Sequence, residues 1–368
     1  MLFINLVKDF TNNLFTMSIK ITGIGSFIPG HKRKNSDFLK QEFRNNDGSR
    51  FPHANEITIE KFKAITGIEE RRYLEENLST SDMATVAAQK ALEDAGIDPE
   101  TLDYLIVAHN YGDVKFGTVQ SDTVPSMATR VKHNLRIKNP KCVGYDVLFG
   151  CPGWIEAVIQ AQAFIRAGMA NKCLVIGAEA LSRVVDKYDR DSMIFSDGAG
   201  AVVLEKTNEE GGILAHESAT FAYQDAHHIY FGTSNVSEDE NDIRFIKMNG
   251  RKIYEFALTE VPKAMKECLA NSGKTIQDVK KIFIHQANEK MDDAIIHRFY
   301  KLHNTPMPAN VMPMSIQELG NSSVATVPTL LDLVVKGKIE GQELNRGDVI
   351  MFASVGAGMN INSIVYQY

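Results

Sequence analysis

An α/β fold assembled from two related halves is what this sequence predicts, on three observations. Short apolar runs of strand type alternate with amphipathic runs of helical period. The same order of elements occurs twice along the chain. In each half a tight turn of small residues leads into a helix, GCPGW at 150–154 and GNSS at 320–323.

Taken in order, residues 18–24 read as a strand. Residues 81–95 read as a helix, with cap-type residues at 79–82, a face of Met83, Val86, Ala87 and Leu92, and a stop at Gly96. Short buried strands follow at 105–108 and 142–149. A helix at 155–167 ends at Gly168, and a further strand covers 173–177. The second half repeats this plan. LEDAGIDPETLDYLIVAHN closes on His109 and Asn110, and CLANSGKTIQDVKKIFIHQAN reaches His285 and then Asn288. Gly96 lies 13 positions before His109, and Gly273 lies 12 before His285. Each half also holds a strand rich in Gly and Ala, LVIGAEA at 174–180 and IMFASVGAG at 350–358. The boundary is expected where KTNEEGG brings charge and glycine together. That gives an extension at 1–17, an N-terminal half at 18–208 and a C-terminal half at 209–368. Residues 35–65 and 218–250 read as polar, irregular caps over one face.

At 368 residues the chain is long for one core and sufficient for two, and 44% apolar residues are enough to fill them. The net charge of −6 is spread out, with no basic stripe for nucleic acid. The histidines are too scattered to suggest a metal. Four cysteines without a CxxC pair or a secretory signal read as free thiols in a reducing, cytoplasmic setting. No uncharged apolar run is long enough to span a bilayer. The first 16 residues, MLFINLVKDFTNNLFT, read as an extension, or as the product of a start codon upstream of Met17, with a weak amphipathic membrane anchor as the lesser alternative; they lack a signal-peptide cleavage pattern.

Cys151 ends the run YDVLFG and precedes a helix whose first turn holds Pro152. A thiol at a helix N-terminus faces the positive end of the dipole, which favours thiolate. Taken alone, a strand-end cysteine is more often a small buried apolar residue. Cys142, Cys173 and Cys268 lie within apolar patterns and read as core. His285 ends a strand of a parallel type, where ligands gather beyond the carboxyl ends. Asn321 precedes a helix and is also readable as an N-cap, a role open equally to Ser322 or Ser323. IFSDGAGAVVLE at 194–205 lacks the phosphate-loop spacing and reads as a close-packed turn and strand.

In combination, FGCPGW, HQAN, GNSS and SDGAGA resemble the ketoacyl-ACP synthase III family of the thiolase superfamily. TGIEERR at 66–72, VPS at 124–126 and GAG at 356–358 join the match, which spans about residues 18 to 368. The resemblance implies a thiolase-like fold, two pseudo-symmetric halves in α-β-α-β-α layers, and no cofactor. It places the catalytic set on Cys151, His285 and Asn321. It implies acyl transfer to Cys151, then decarboxylation of a malonyl-type thioester to an enolate that attacks the acyl group. The implied partners are acyl-CoA or acyl-ACP, an acyl carrier protein and a second copy of the chain. A second oxyanion hole is expected at the N–H groups of Cys151 and Gly358, with support from Asn288.

The match departs from the family at the primer grip. The positions of its tryptophan and arginine fall at Lys61 and Ile65, with Phe62 as a stacking face. Arg251, Lys252 and Lys290 are candidates for holding a carrier protein. Val124 stands where a phenylalanine is frequent and would widen an acyl pocket at a dimer interface. Three alternatives stay open at this level: condensation with a β-ketoacyl thioester as in dialkylresorcinol formation, ester or amide formation, and an inactive partner subunit.

Overall fold

A computed structural model describes residues 17–236 and 243–368. The reading of residues 1–16 lies outside the described residues. Nine principal strands form two sheets. They are β1 (Ser18–Phe27), β2 (Tyr104–Ala108), β3 (Val143–Val147), β4 (Lys172–Ala180), β5 (Asp197–Thr207), β6 (Gly212–Thr220), β7 (Val279–Ile284), β8 (Val349–Gly356) and β9 (Asn360–Gln367). The first sheet has the order β1-β5-β4-β2-β3, and the second β6-β9-β8-β7. In each sheet parallel strands (β3, β2 and β4; β7 and β8) continue into antiparallel ones. Among the described residues the outer edge of β7 has no strand partner, but Ile282 N–H donates to Val311 O there at 2.7 Å. The segment that leads to Asn321 thus lies beside β7 as β3 lies beside β2.

The principal helices are α1 (Asn55–Thr66), α2 (Thr80–Ala95), α3 (Met127–Asn134), α4 (Gly153–Arg166), α5 (Gly250–Asn271), α6 (Glu289–Lys301) and α7 (Thr326–Val335). Three apolar cores separate the layers. One joins α2 and α3 to the outer face of the first sheet. The middle one packs α4 and α7 between the two sheets, where Trp154 meets Phe352 edge-to-face at 5.8 Å. The third sets α5 and α6 against the second sheet. This is the five-layer arrangement expected from the motifs.

Local sequence explains the boundaries. Ser79 caps α2 by accepting from Asp82 N–H while the Asp82 carboxylate accepts from Ser79 N–H, and Gly96 closes the helix at φ 63°. β4 and β8 lie inside their sheets and between helical layers, so nearly every residue of both is buried.

Two stretches read as irregular are partly ordered. Residues 35–65 contain most of α1, whose buried Thr58, Phe62 and Thr66 recur every fourth position among charged residues that dilute the pattern. Residues 218–250 contain the hairpin Ile229–Thr233 with Arg244–Met248. The SDGAGA stretch is β5 and its approach. A Cβ on Gly200 would lie 2.7 Å from Pro328 Cβ of α7, so close packing accounts for that glycine.

Candidate active site

The two central helices begin at the two small-residue turns. Cys151 precedes α4, whose first turn has no side-chain cap. Gly150 adopts φ 66°, and a Cβ there would lie 2.7 Å from Ala357 N. From the other half, a Cβ on Gly356 would lie 2.5 Å from Cys151 N. The strand-end turns of both halves are therefore in contact at the thiol, and any side chain would separate them. Gly358, at φ 78°, lies two residues beyond that contact.

Asn321 is held through its main chain. Its N–H donates to Ile194 O at 3.0 Å and its carbonyl accepts from Ser196 N–H at 2.8 Å. Buried Arg71, from the TGIEERR stretch, braces the same segment by donating to Met193 O at 3.0 Å. Asn321 Oδ1 accepts from Ser323 N–H at 2.8 Å, which leaves the Nδ2 hydrogens as its outward donors. His285 continues the β7–β8 pairing, its N–H donating to Ala353 O at 2.8 Å. The next residue, Gln286, accepts from Ser315 N–H at 2.9 Å and donates to Pro313 O at 2.8 Å. That pair of bonds ties the histidine's turn to the approach to Asn321.

Ser323 joins the three. Its Oγ–H donates to Cys151 Sγ at 3.5 Å, its N–H donates to Asn321, and its main chain lies beside the His285 ring, whose buried Nδ1 has no hydrogen-bond partner among the described residues. Ser323 has φ 54°, left-handed and rare for a residue with a Cβ. Neither Ser323 nor Gln286 was singled out from the sequence.

Burial sets the charge states. It lowers His285 from 6.5 to about 4, opposed by the Ser323 main chain, so the ring is neutral at pH 7. It pushes the Cys151 thiol up to about 11, opposed by the Ser323 hydroxyl. Desolvation thus opposes the thiolate that the helix N-terminus favours. The other three cysteines are buried, and none of the four is bonded to another. His109, the counterpart of His285, is a structural residue. Its Nδ1 accepts from Gly112 N–H at 2.9 Å and its Nε2 meets Asp146 at 3.0 Å.

A groove of about 1080 Å³ lies between α1, the hairpin and the start of α5. Ile194 and Asn288 line it, and Ile194 O also receives the Asn321 N–H, so the groove backs onto the site. Cys151, His285 and Asn321 are not among its lining residues. Asn288 caps α6 by accepting from Met291 N–H at 3.0 Å. Arg251 lines the groove and pairs with Glu255 at 2.9 Å, whereas Lys252 and Lys290 are exposed outside it. Arg44 and Arg190 are lining cations that the sequence did not single out. Lys61, Phe62 and Ile65 line the groove as well; Phe62 is 7% exposed, with the Arg71 guanidinium 5.8 Å from its ring. Val124 is 85% exposed. No group of metal-ligating side chains occurs among the described residues.

Comparison with known proteins follows from this geometry. Residues 145–221 match the family model 3-Oxoacyl-[acyl-carrier-protein (ACP)] synthase III, and 269–368 match that of its C-terminal domain. The chain is 31% identical to beta-ketoacyl-[acyl-carrier-protein] synthase III 1 of Halalkalibacterium halodurans, over 95% of this chain and 98% of the other. It is 33% identical to the Vibrio vulnificus protein of the same name, over 96% and 100%. The crystal structure of 3-oxoacyl-[acyl-carrier-protein] synthase III from Aquifex aeolicus superposes with a TM-score of 0.78 at 29% identity, covering 95% of this chain and all of that one.

Proposed function

Because the chain belongs to the 3-oxoacyl-[acyl-carrier-protein] synthase III family, and so is an acyltransferase of the ketoacyl synthase type, we propose that Cys151 carries the acyl group while His285 and Asn321 stabilise the enolate. The observation that carries this assignment is the Ser323 junction, which gathers a thiol, a neutral imidazole and an amide donor at one point. Sγ attacks the acyl thioester, and the displaced thiol leaves with the proton that Cys151 gives up. A malonyl-type thioester then loses carbon dioxide, and the resulting enolate attacks the acyl-cysteine; the carbon–carbon bond forms as the C–Sγ bond breaks, and the expelled Cys151 thiolate takes a proton from solvent. Two uncharged donors suit a developing oxyanion, and each is worth about 3–4 kcal/mol. A carboxylate in either place would repel it. Main-chain N–H groups of Cys151 and Gly358 serve the tetrahedral intermediate in this reading, and Asn288 holds the start of α6 beside the groove.

The groove, with Arg44, Arg190 and Arg251 on its walls, is the entry for the substrate's carrier arm, and an acyl carrier protein docks at its mouth. Homodimer formation brings Val124 of one protomer to the acyl pocket of its partner. No helix among the described residues is long and apolar enough to cross a membrane. Family membership favours condensation over the ester- or amide-forming and inactive-subunit readings. Intact-mass measurement after incubation with acyl-CoA and acyl-carrier thioesters tests the assignment. Wild type gains the acyl mass and Cys151→Ala does not; full acylation of Cys151→Ala removes Cys151 as nucleophile.

A further inference from the structure

Behind Cys151 lies a buried polar chain that the reaction described above does not use. Glu179, fully buried near the end of β4, accepts from both Asn110 N–H and Asn110 Nδ2 at 2.8 Å through one oxygen, Oε2. Asn110 Nδ2 also donates to Ser323 Oγ at 3.2 Å. The two amide hydrogens are thereby divided, one to the carboxylate and one to the hydroxyl. A serine oxygen that accepts from Asn110 on one side turns its own hydrogen to the other side, where Cys151 Sγ lies at 3.5 Å. The direction of every bond in the chain follows from the first, because a carboxylate and an amide N–H can each play only one part.

We propose that Asn110 and Glu179 are positioning residues for Cys151, locking the Ser323 hydroxyl as a hydrogen-bond donor to the sulfur that begins acyl transfer. This rests on Cys151 being the nucleophile. The device answers a need created by burial. The thiol is pushed up to about 11, so a donor fixed on the sulfur offsets part of the cost of making thiolate. A freely rotating hydroxyl would spend part of its time accepting instead. Ser323 is also held by Asn321 and keeps a left-handed backbone, a conformation that persists only where its surroundings enforce it.

The groups facing this point come from several elements. Glu179 lies at the end of β4, His285 beyond β7, and Tyr111 beside Asn110 after β2. His109, paired with Asp146, acts on Glu179. Burial lifts Glu179 itself to about 7, and its negative charge opposes thiolate formation. Glu179 therefore contributes through the orientation it imposes on Asn110, not through its charge. These two effects separate cleanly by substitution.

The test is the pH dependence of Cys151 alkylation by iodoacetamide, with the labelled site located by peptide mass spectrometry. Ser323→Ala removes the donor, and Asn110→Ala removes only its orientation. Both raise the alkylation midpoint, Ser323→Ala by about one pH unit and Asn110→Ala by less. Glu179→Gln keeps an acceptor oxygen for Asn110 and removes the charge, so its midpoint stays at the wild-type value or falls. Thermal melts accompany each variant, and the near-isosteric Glu179→Gln keeps the test decisive if an alanine variant does not fold. An unchanged midpoint in folded Ser323→Ala or Asn110→Ala overturns the proposal, as does a raised midpoint in Glu179→Gln. Failure of Cys151 to become labelled or acylated in the wild type overturns instead the nucleophile assignment beneath it.

Discussion

His285 sits where its ordinary charge is removed, and the order of events at the site depends on that. An imidazole held near 4 cannot store the Cys151 proton at neutral pH, so its useful form is the neutral donor. The sign of the pH response follows. Protonation occurs only as pH falls toward about 4, so the decarboxylation rate holds steady down to about pH 5 and declines below it, with no break near the ordinary histidine value. A limb centred near 6.5, measured by carbon dioxide release from a malonyl thioester, would contradict the neutral ring. His285→Ala lowers that release by about 10²–10³ while acyl-Cys151 still forms in the intact-mass spectrum. Asn321 gives a sharper comparison. With Oδ1 engaged by Ser323, Asn321→Asp puts a carboxylate oxygen in place of the outward Nδ2 donor. Carbon dioxide release therefore falls further in Asn321→Asp than in Asn321→Ala, because repulsion is added to the lost bond. Cys151, His285 and Asn321 were candidates from motifs, since each lies in a short string of distinctive composition. Ser323, Asn110 and Glu179 could not. Their bonds span 172 positions from Ser323 to Cys151, 213 from Asn110 to Ser323 and 69 from Asn110 to Glu179, and no local pattern records such meetings.

Elements matter here through where they stop. Strands β4 and β8 were legible as apolar runs, and α2 and α4 as helices with evident ends. α1 escaped because its buried face is carried partly by threonines, which do not register as apolar. The groove was not legible either, because it lies between elements from distant parts of the chain. The glycine-bearing ends supply the most direct test at this scale. Gly356→Ala drives a methyl group to 2.5 Å from Cys151 N, against main chain that cannot rotate away. Acylation of Cys151 is expected to fall at least tenfold, with a lower melting temperature, since relief requires parting the two turns. A variant with wild-type acylation kinetics would mean that the turns are not mechanically coupled. The α2 cap is the control for stability alone. Ser79→Ala removes the acceptor for Asp82 N–H and costs about 1 kcal/mol in denaturant unfolding, without altering the pH profile of acylation.

For the molecule as a whole, the first sheet presents an incomplete edge. Among the described residues β3 pairs with β2 on one side only; Val143 in it is 47% exposed, and Leu148 just past the strand is 67% exposed. Natural edge strands are normally shielded by charge, proline, bulges or a covering element, and an apolar edge left open invites another strand. A second copy of the chain fits this edge if two β3 strands meet across a twofold axis, since the same patch then serves both sides. The exposed Val124 lies on the segment joining β2 to α3, and α3 leads on to β3, so the same union would bring that segment toward the neighbouring protomer. Sedimentation velocity is expected to give twice the 40.9 kDa chain mass. The double substitution V143K/L148K places two cations beside their symmetry mates and shifts the protein to monomer, with loss of acyl transfer if Val124 is needed in its partner's pocket. A monomeric wild type would remove the dimer, and a monomeric but fully active V143K/L148K would confine the acyl pocket to one protomer.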